Sequence, residues 1–190
     1  MSEPVRVGDI DTPFEWVIQG VERPGQFFEH LPALLPPDSI LYLEGLQIAP
    51  AVAAFYRAHG APNPAKIRCE TIYPKPQSYH IAFSADICST LRQFAEIRPL
   101  NEMFDHIKAY RGDTLLLYFH DAFQNRLALS DHLPGDAVAK FCELLGVVGE
   151  REKTQRLDLE QLKKVQAAFD DLYRSVNPWY KRFWWWLGGR

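Results

Sequence analysis

Two stretches of alternating residues carry most of the side chains that could do chemistry. In the first, His106, Lys108 and Tyr110 share one face of a predicted strand, because successive side chains of a strand point to opposite faces. In the second, Tyr118 and His120 share a face for the same reason. If the two strands form a hairpin and the faces coincide, these side chains make one polar and aromatic surface. Such a surface either lines a ligand groove or is the solvent-facing side of an antiparallel sheet.

An acid–base site is the enzymatic interpretation of this region. Asp121 follows His120, and His106 lies on the neighbouring strand, so one hypothesis is a small hydrolase that uses these three side chains. A second histidine–carboxylate pair, Asp131-His132, follows the next predicted strand and should lie at its far end. Turn-forming aspartates and loop histidines explain both pairs without catalysis.

The remaining motifs argue against several enzyme classes. Ser130-Asp131-His132 contains the three residue types of a catalytic triad, but triads are assembled across a fold, so adjacency counts against this one. The chain has no HExxH, GxSxG, P-loop or GxGxxG motif, and no cysteine–histidine pair has zinc spacing. We therefore predict no metal and no cofactor. Glu44, Glu70 and Asp105 lie on or beside predicted strands, where two of them facing one cleft could do acid–base work.

Composition sets the broad class. The chain has 190 residues, of which 47% are apolar and 24% charged, values typical of one globular domain, or of one domain with an appendage. A net charge of −3 gives no electrostatic attraction to nucleic acid. Cys69, Cys88 and Cys142 lie on apolar-periodic positions, which predicts buried free thiols in a reducing compartment. With no secretory signal and no long apolar run, the expected location is cytoplasmic.

The C-terminal twelve residues are the most unusual part of the sequence, since they hold four of the five tryptophans. Lys181 and Arg182 interrupt these aromatics, and no acidic residue follows Asp171. The tail packs on its own domain, contacts a protein partner or second copy, or lies on a membrane surface. The aromatic side chains concerned are Trp179, Tyr180, Phe183, Trp184, Trp185 and Trp186.

Hydrophobic periodicity predicts the elements that must position these residues. The predicted strands are Phe14–Gln19, Ile40–Leu43, Ile67–Tyr73, Tyr79–Phe83, His106–Tyr110, Thr114–His120 and Arg126–Leu129. The predicted helices are Gly25–Leu35, one beginning at Pro50, one capped by Ser84, Pro134–Leu145 and a long one capped by Asp158. Strands in runs predict an α+β fold with a mixed, largely antiparallel sheet flanked by helices. We expect an α+β domain over 1–148, and over 149–190 a C-terminal helix and tail that pack on it or on a partner.

Two functional hypotheses follow. The first is a non-enzymatic, macromolecule-binding protein, such as an inhibitor- or immunity-type protein or a scaffold subunit, which uses the aromatic tail together with Tyr110 and Tyr118. Its partner would be another protein or a second copy, not nucleic acid. The second is the hydrolase described above, with His106, His120 and Asp121 as its catalytic residues. A pocket that holds a histidine beside a carboxylate favours the enzyme, and an exposed aromatic patch favours the binding protein.

Overall fold

The computed structural model describes residues 14–62, 64–65, 67, 69–71 and 73–151. These residues form seven strands and four helices. The strands are β1 (Phe14–Ile18), β2 (Ile40–Gly45), β3 (Gln77–Ala82), β4 (His106–Arg111), β5 (Thr114–Phe119), β6 (Leu127–Ser130) and β7 (Gly149–Arg151). The helices are α1 (Pro24–Leu34), α2 (Pro50–Ala58), α3 (Ala85–Ile97) and α4 (Gly135–Leu145). The predicted helix after Asp158 and the aromatic tail lie outside the described residues.

The strands form one sheet in the order β3-β2-β4-β5-β6-β1-β7, and every neighbouring pair is antiparallel. The fold is therefore α+β, as the sequence predicts. The hairpin of β4 and β5 sets the register of the central strands, with Lys108 opposite Tyr118 and Ile107 opposite Phe119. Gly112 makes the turn between these strands with a φ of 56°, a left-handed conformation that glycine adopts without strain.

Local signals in the sequence explain where the helices begin and end. Helices α1 and α2 each begin with a proline, which has no N–H to leave unpaired in the first turn. Helix α3 begins after Ser84, whose Oγ accepts a hydrogen bond from the Ile87 backbone N–H at 3.2 Å. Helix α4 ends at Gly146, which has a φ of 68°.

The main apolar core lies between the four helices and one face of the sheet. All four helices contribute buried side chains to it, and α1 contributes Phe27 and Phe28, which are fully buried. The Phe27 ring makes edge contacts with Phe28, Phe123 and Phe141 at centroid distances of 5.3 to 6.0 Å. This packing fixes one face of the sheet rigidly, so the positions of side chains on the other face are also fixed.

The described residues of the segment 61–76, which we call the strap, cover the opposite face of the central strands. Its described members Ala65 and Ile67 pack against Tyr42 and Tyr110 on that face. The strap departs from the sheet edge at β3, where Ala61 N–H donates to the His80 carbonyl, and it returns directly into β3 at Gln77. Both faces of the central strands are therefore covered, and β4 is buried from His106 to Tyr110.

The structure corrects three of the sequence-based expectations. Ile67–Tyr73 is predicted as a strand, but its described residues form no strand, and part of it crosses the sheet face within the strap. Residues 149–151 form edge strand β7 against β1, at the start of the stretch in which the sequence predicts a C-terminal helix and tail. Cys88 and Cys142 are buried as predicted, whereas Cys69 is only half-buried. Among the described helices, none is both long and apolar enough to cross a lipid bilayer.

Candidate functional site

A cluster of polar and aromatic side chains lies between the strap and the covered face of the sheet. Alternation along β2, β3, β4 and β5 positions most of these side chains, and the strap and the turn after β5 supply the rest. We call this group the polar cluster. Its members are Tyr42, Glu44, Glu70, Thr71, His80, His106, Lys108, Tyr110, Tyr118, His120 and Asp121.

The face predicted from the β4–β5 hairpin therefore exists, but it does not face solvent. His106 and Lys108 are each only 4% exposed, so the interpretation of this surface as the solvent-facing side of the sheet is wrong. Tyr110 is buried and Tyr118 half-buried on the same face. The physical reason is the strap, a long connection that alternation within the strands does not reveal.

Glu44 fixes the strap to the sheet. Its side chain is completely buried, and its carboxylate accepts hydrogen bonds from Tyr42 Oη at 2.7 Å, from Glu70 N–H at 3.0 Å and from Thr71 N–H at 2.8 Å. Burial alone would raise the pKa of Glu44, but these hydrogen bonds outweigh it and hold that pKa below its ordinary value. Glu44 is therefore an ionised anchor for the strap backbone.

Lys108 is the buried cation of the cluster. Its ammonium group pairs with the Glu70 carboxylate of the strap. It also lies 5.5 Å from the centre of the Tyr42 ring and 5.4 Å from that of Tyr118. Burial, with the neighbouring Glu70 carboxylate, raises the pKa of Tyr118 above its ordinary value. The ion pair and the flanking rings give this charge the partners that a buried ammonium needs.

His106 and His120 meet at the open end of the hairpin. Their rings are stacked with centroids 4.5 Å apart and an interplanar angle of 4°. His106 Nδ1 accepts a hydrogen bond from the Asp121 backbone N–H at 2.9 Å, and its Nε2 lies 3.3 Å from Thr71 Oγ1. Because a backbone N–H can only donate, these bonds assign His106 to the neutral form with its proton on Nε2. Asp121 has a φ of 42°, an uncommon conformation for a residue other than glycine.

The Asp121 carboxylate lies between the two histidines. Its Oδ1 is 3.6 Å from His106 Nδ1, and its Oδ2 is 3.4 Å from His120 Nε2. The side chains of His120 and Asp121 are 42% and 47% exposed, so solvent reaches this end of the cluster. These three residues are the catalytic set of the hydrolase hypothesis, and the structure brings them together.

His80 is a member of the cluster that the sequence analysis did not single out. Its Nδ1 lies 2.8 Å from Tyr110 Oη, which itself accepts a hydrogen bond from the Ala65 N–H of the strap at 3.3 Å. The tyrosine proton is then free to point at His80 Nδ1. Burial lowers the pKa of His80 and raises that of Tyr110 to about 12. Tyr42 and Thr71 were also missed, although period-two alternation places Tyr42 on the same face as Glu44.

The second histidine–carboxylate pair is separate from the cluster, at the opposite end of β6. His132 Nδ1 lies 2.9 Å from Ser130 Oγ and 3.0 Å from Asp131 Oδ1. A catalytic triad needs the nucleophile and the carboxylate on opposite nitrogens of the imidazole. Here both contact the same nitrogen, so the arrangement is a local turn without the geometry of a proton relay.

The remaining candidate residues lie in different parts of the molecule. Of the strand carboxylates, Glu44 and Glu70 meet in the cluster, whereas Asp105 accepts a hydrogen bond from Leu46 N–H at 2.8 Å in the turn after β2. A separate pocket of about 290 Å³ lies beside the loop before α1, and no residue of the cluster lines it. Trp179, Tyr180, Phe183, Trp184, Trp185 and Trp186 lie outside the described residues.

Comparison with known proteins identifies no relative. No family model matches the chain, and neither a curated protein nor a solved structure does so.

Proposed function

We propose that this chain is a non-enzymatic binding protein, of the inhibitor, immunity or scaffold type, which binds an acidic protein partner. The partner would contact the outer side of the strap and the aromatic tail. The observation that carries this proposal is Tyr73, whose residue surface is 90% exposed although it lies two positions after Thr71, whose backbone is anchored to Glu44. An exposed tyrosine close to an anchored segment is an effective contact residue, because its ring offers a large amphipathic contact area with few rotatable bonds to immobilise.

Charge indicates the chemistry of the partner. The strap contains Lys66, Arg68 and Lys75 but one carboxylate, Glu70, which is already paired with Lys108. The tail is basic as well, since its charged residues are Lys181, Arg182 and Arg190. Two basic segments that carry aromatic side chains favour an acidic surface on the partner.

The internal hydrogen bonding of the cluster supports binding over catalysis. Both nitrogens of His106 have partners within the protein, and the Glu44 carboxylate accepts three hydrogen bonds that anchor the strap. A general base needs a free lone pair within reach of a substrate proton. In this proposal the buried part of the cluster holds the strap in the conformation that presents Tyr73.

Affinity capture followed by a direct binding measurement tests the proposal. Full-length protein would capture partners from a nuclease-treated extract of the producing cells, and the captured protein would then be purified for titration. We expect Tyr73→Ala to weaken binding by about 10-fold or more. Ile97→Ala is the matched control, because Ile97 is 73% exposed on α3, away from the strap. Removal of Trp179–Arg190 should also weaken binding, and added salt should do so progressively.

Four results would contradict this proposal, and the first three concern affinity, salt and the captured protein. They are equal affinities of wild type and Tyr73→Ala, an affinity independent of salt, and capture of nothing but second copies of the chain. Loss of affinity in Ile97→Ala to the same extent as in Tyr73→Ala would also contradict it, because the strap would then have no special role.

The hydrolase is the second candidate, and the convergence of His106, His120 and Asp121 is the observation that favours it. In this mechanism Asp121 would orient the His120 ring through Nε2, which leaves Nδ1 as the general base; because Nδ1 is buried, the ring would have to turn to reach a substrate proton. Activity toward nitrophenyl esters and phosphates tests it. Hydrolysis that is lost in His120→Ala and retained in His132→Ala would support the enzyme, and absence of wild-type hydrolysis on both substrate classes would rule out this form of it.

A further inference from the structure

The open end of the β4–β5 hairpin gathers three donor groups that transition metals prefer. His106 is the first residue of β4, and His120 directly follows β5, so continuation of the register from Ile107 and Phe119 brings the two side by side. Asp121 adds a carboxylate from the next position. One ligand atom of each residue can be chosen so that all three lie within 4.8 Å of one another. Two imidazoles with one carboxylate suit zinc, cobalt or nickel better than the oxygen-preferring magnesium and calcium.

Two separations between candidate donor atoms are already close to those of a loaded site, although they involve different oxygens of Asp121. His106 Nδ1 is 3.6 Å from Asp121 Oδ1, and His120 Nε2 is 3.4 Å from Asp121 Oδ2. In a tetrahedral zinc site, bonds of about 2.0–2.1 Å place neighbouring donor atoms about 3.4 Å apart. Binding of one ion also needs a change in the mutual orientation of the two imidazoles, because lone pairs of parallel stacked rings do not converge on one point.

The surroundings allow this change at His120 and hold His106 in place. In the described part of the chain, His120 Nδ1 is buried and has no hydrogen-bond partner, while the side chain as a whole is 42% exposed, so no hydrogen bond of this nitrogen opposes a turn of the ring out of the stack. His106 is buried, and its Nε2 bonds Thr71 Oγ1 at 3.3 Å. A metal-ligating histidine usually donates its second N–H in this way, which leaves Nδ1 for the metal. An ion on Nδ1 would take the place of the Asp121 N–H, whose nitrogen is now 2.9 Å away, so the turn at Asp121 must shift for the ion to bind.

Charge around the site also favours a cation. Glu44 is the cross-strand partner of His106, and Glu70 is paired with Lys108. Among the described residues of this part of the cluster, the carboxylates of Glu44, Glu70 and Asp121 are accompanied by one ammonium group, that of Lys108. An incoming divalent ion would relieve this excess of negative charge.

From these observations we infer that His106 Nδ1, His120 and Asp121 bind one divalent transition-metal ion, with zinc as the reference ion. The half-exposed side leaves coordination positions open to water or to a ligand from a partner, unlike a closed four-ligand structural site. The inference does not require the ion for folding, because neither the apolar core nor the Glu44 anchor includes any of the three ligands. The inference is independent of the binding role proposed for Tyr73, which uses different atoms.

Titration of tag-free, chelator-treated full-length protein with Zn²⁺ tests the inference, with Co²⁺ absorption as a spectroscopic readout of coordination. We expect one ion per chain and a rise in melting temperature as zinc is added, because an ion that binds the folded state stabilises it. His120→Ala and Asp121→Asn should each weaken binding at least 10-fold without loss of fold, since both side chains are half-exposed. His132→Ala is the matched control, because His132 also lies beside an aspartate but lacks a third ligand.

Several results would overturn the inference of a zinc site. Absence of stoichiometric zinc binding by wild type would overturn the inference. So would zinc binding that survives both His120→Ala and Asp121→Asn, or that is lost in His132→Ala. Thr71→Val adds an independent check through the outer partner of His106. Unchanged zinc affinity in this variant would show that His106 is not a ligand through Nδ1.

Discussion

Glu44 and Thr71 are 27 positions apart in the sequence, yet the Thr71 backbone N–H donates to Glu44 Oε1 over 2.8 Å. Glu44 belongs to central strand β2, and Thr71 belongs to the strap. A single buried carboxylate thus holds a long connection flat against a sheet, and it does so through backbone atoms of the strap.

Glu44→Gln should destabilise the protein by about 1–3 kcal/mol, because the amide carries no charge and its NH₂ group cannot accept from a strap N–H. Tyr42→Phe is the matched control, since it removes one hydrogen bond to Glu44 and leaves both backbone bonds in place. We expect about 0.5–1.5 kcal/mol for this control. Urea unfolding at neutral pH measures both. Equal stability of Glu44→Gln and wild type would mean that the carboxylate does not anchor the strap.

Stability should fall in two separate steps as the pH is lowered. Burial lowers the pKa of His80 in the folded protein, so below about pH 6.5 the unfolded chain takes up a proton that the folded chain does not. Hydrogen bonds lower the pKa of Glu44 in the folded protein against the opposing effect of burial. Below about pH 4.5 the unfolded chain therefore takes up a proton at Glu44 before the folded chain does, and the stability that Glu44 contributes begins to be lost. Unfolding free energies from pH 8 to pH 4 would separate the steps. His80→Asn should flatten the step near about pH 6.5 and leave the step below about pH 4.5 unchanged. A stability profile identical to that of wild type would show that His80 does not cause the upper step.

The three cysteines should differ in their reaction with a thiol reagent on folded protein. Cys88 is buried, and burial raises its pKa to about 12, so almost no thiolate is present at neutral pH. Cys142 is also buried with a raised pKa, whereas Cys69 is half-buried in the strap. Mass spectrometry after timed labelling should find Cys69 modified first. Modification of Cys88 before Cys69 would contradict the burial described above.

Gly149 on β7 has too little space for a methyl group. A Cβ atom at this position would lie 2.9 Å from Cys142 Sγ of α4. Gly149→Ala should therefore cost about 1–3 kcal/mol of stability through overpacking. Adding Cys142→Ala removes the sulfur, so the alanine at 149 should cost much less in that background. A double-mutant cycle of the four proteins measures this coupling, and additive effects would show that the two positions are independent.

The sequence predicts the parts of this fold that depend on local signals. Ser84 and Gly146 mark helix ends correctly, and the hairpin of β4 and β5 follows from alternation around Gly112. The shared face of His106, Lys108 and Tyr118 follows from the same alternation, because period two and a short turn fix the register.

The strap could not be predicted, because its hydrogen bonds are not local. Residues 67–73 alternate as a strand does, but Glu70 and Thr71 donate their backbone N–H groups to a side chain, not to a neighbouring strand. Strand β7 has three residues, too few for a periodic signal. The meeting of Glu44 with these residues depends on the path of the strap across the sheet, which no spacing in the sequence encodes.

The anchoring of the strap also bears on how this protein can diverge. Loops ordinarily accept insertions and deletions more readily than the elements they connect. Between Ala65 and Thr71 a change of length would move Glu70 away from Lys108 and the two backbone N–H groups away from Glu44. We expect this stretch to keep its length as strictly as a core strand does. Beyond Thr71, around the exposed Tyr73, the same constraint ends, and variation between lineages can accumulate where a partner would be recognised.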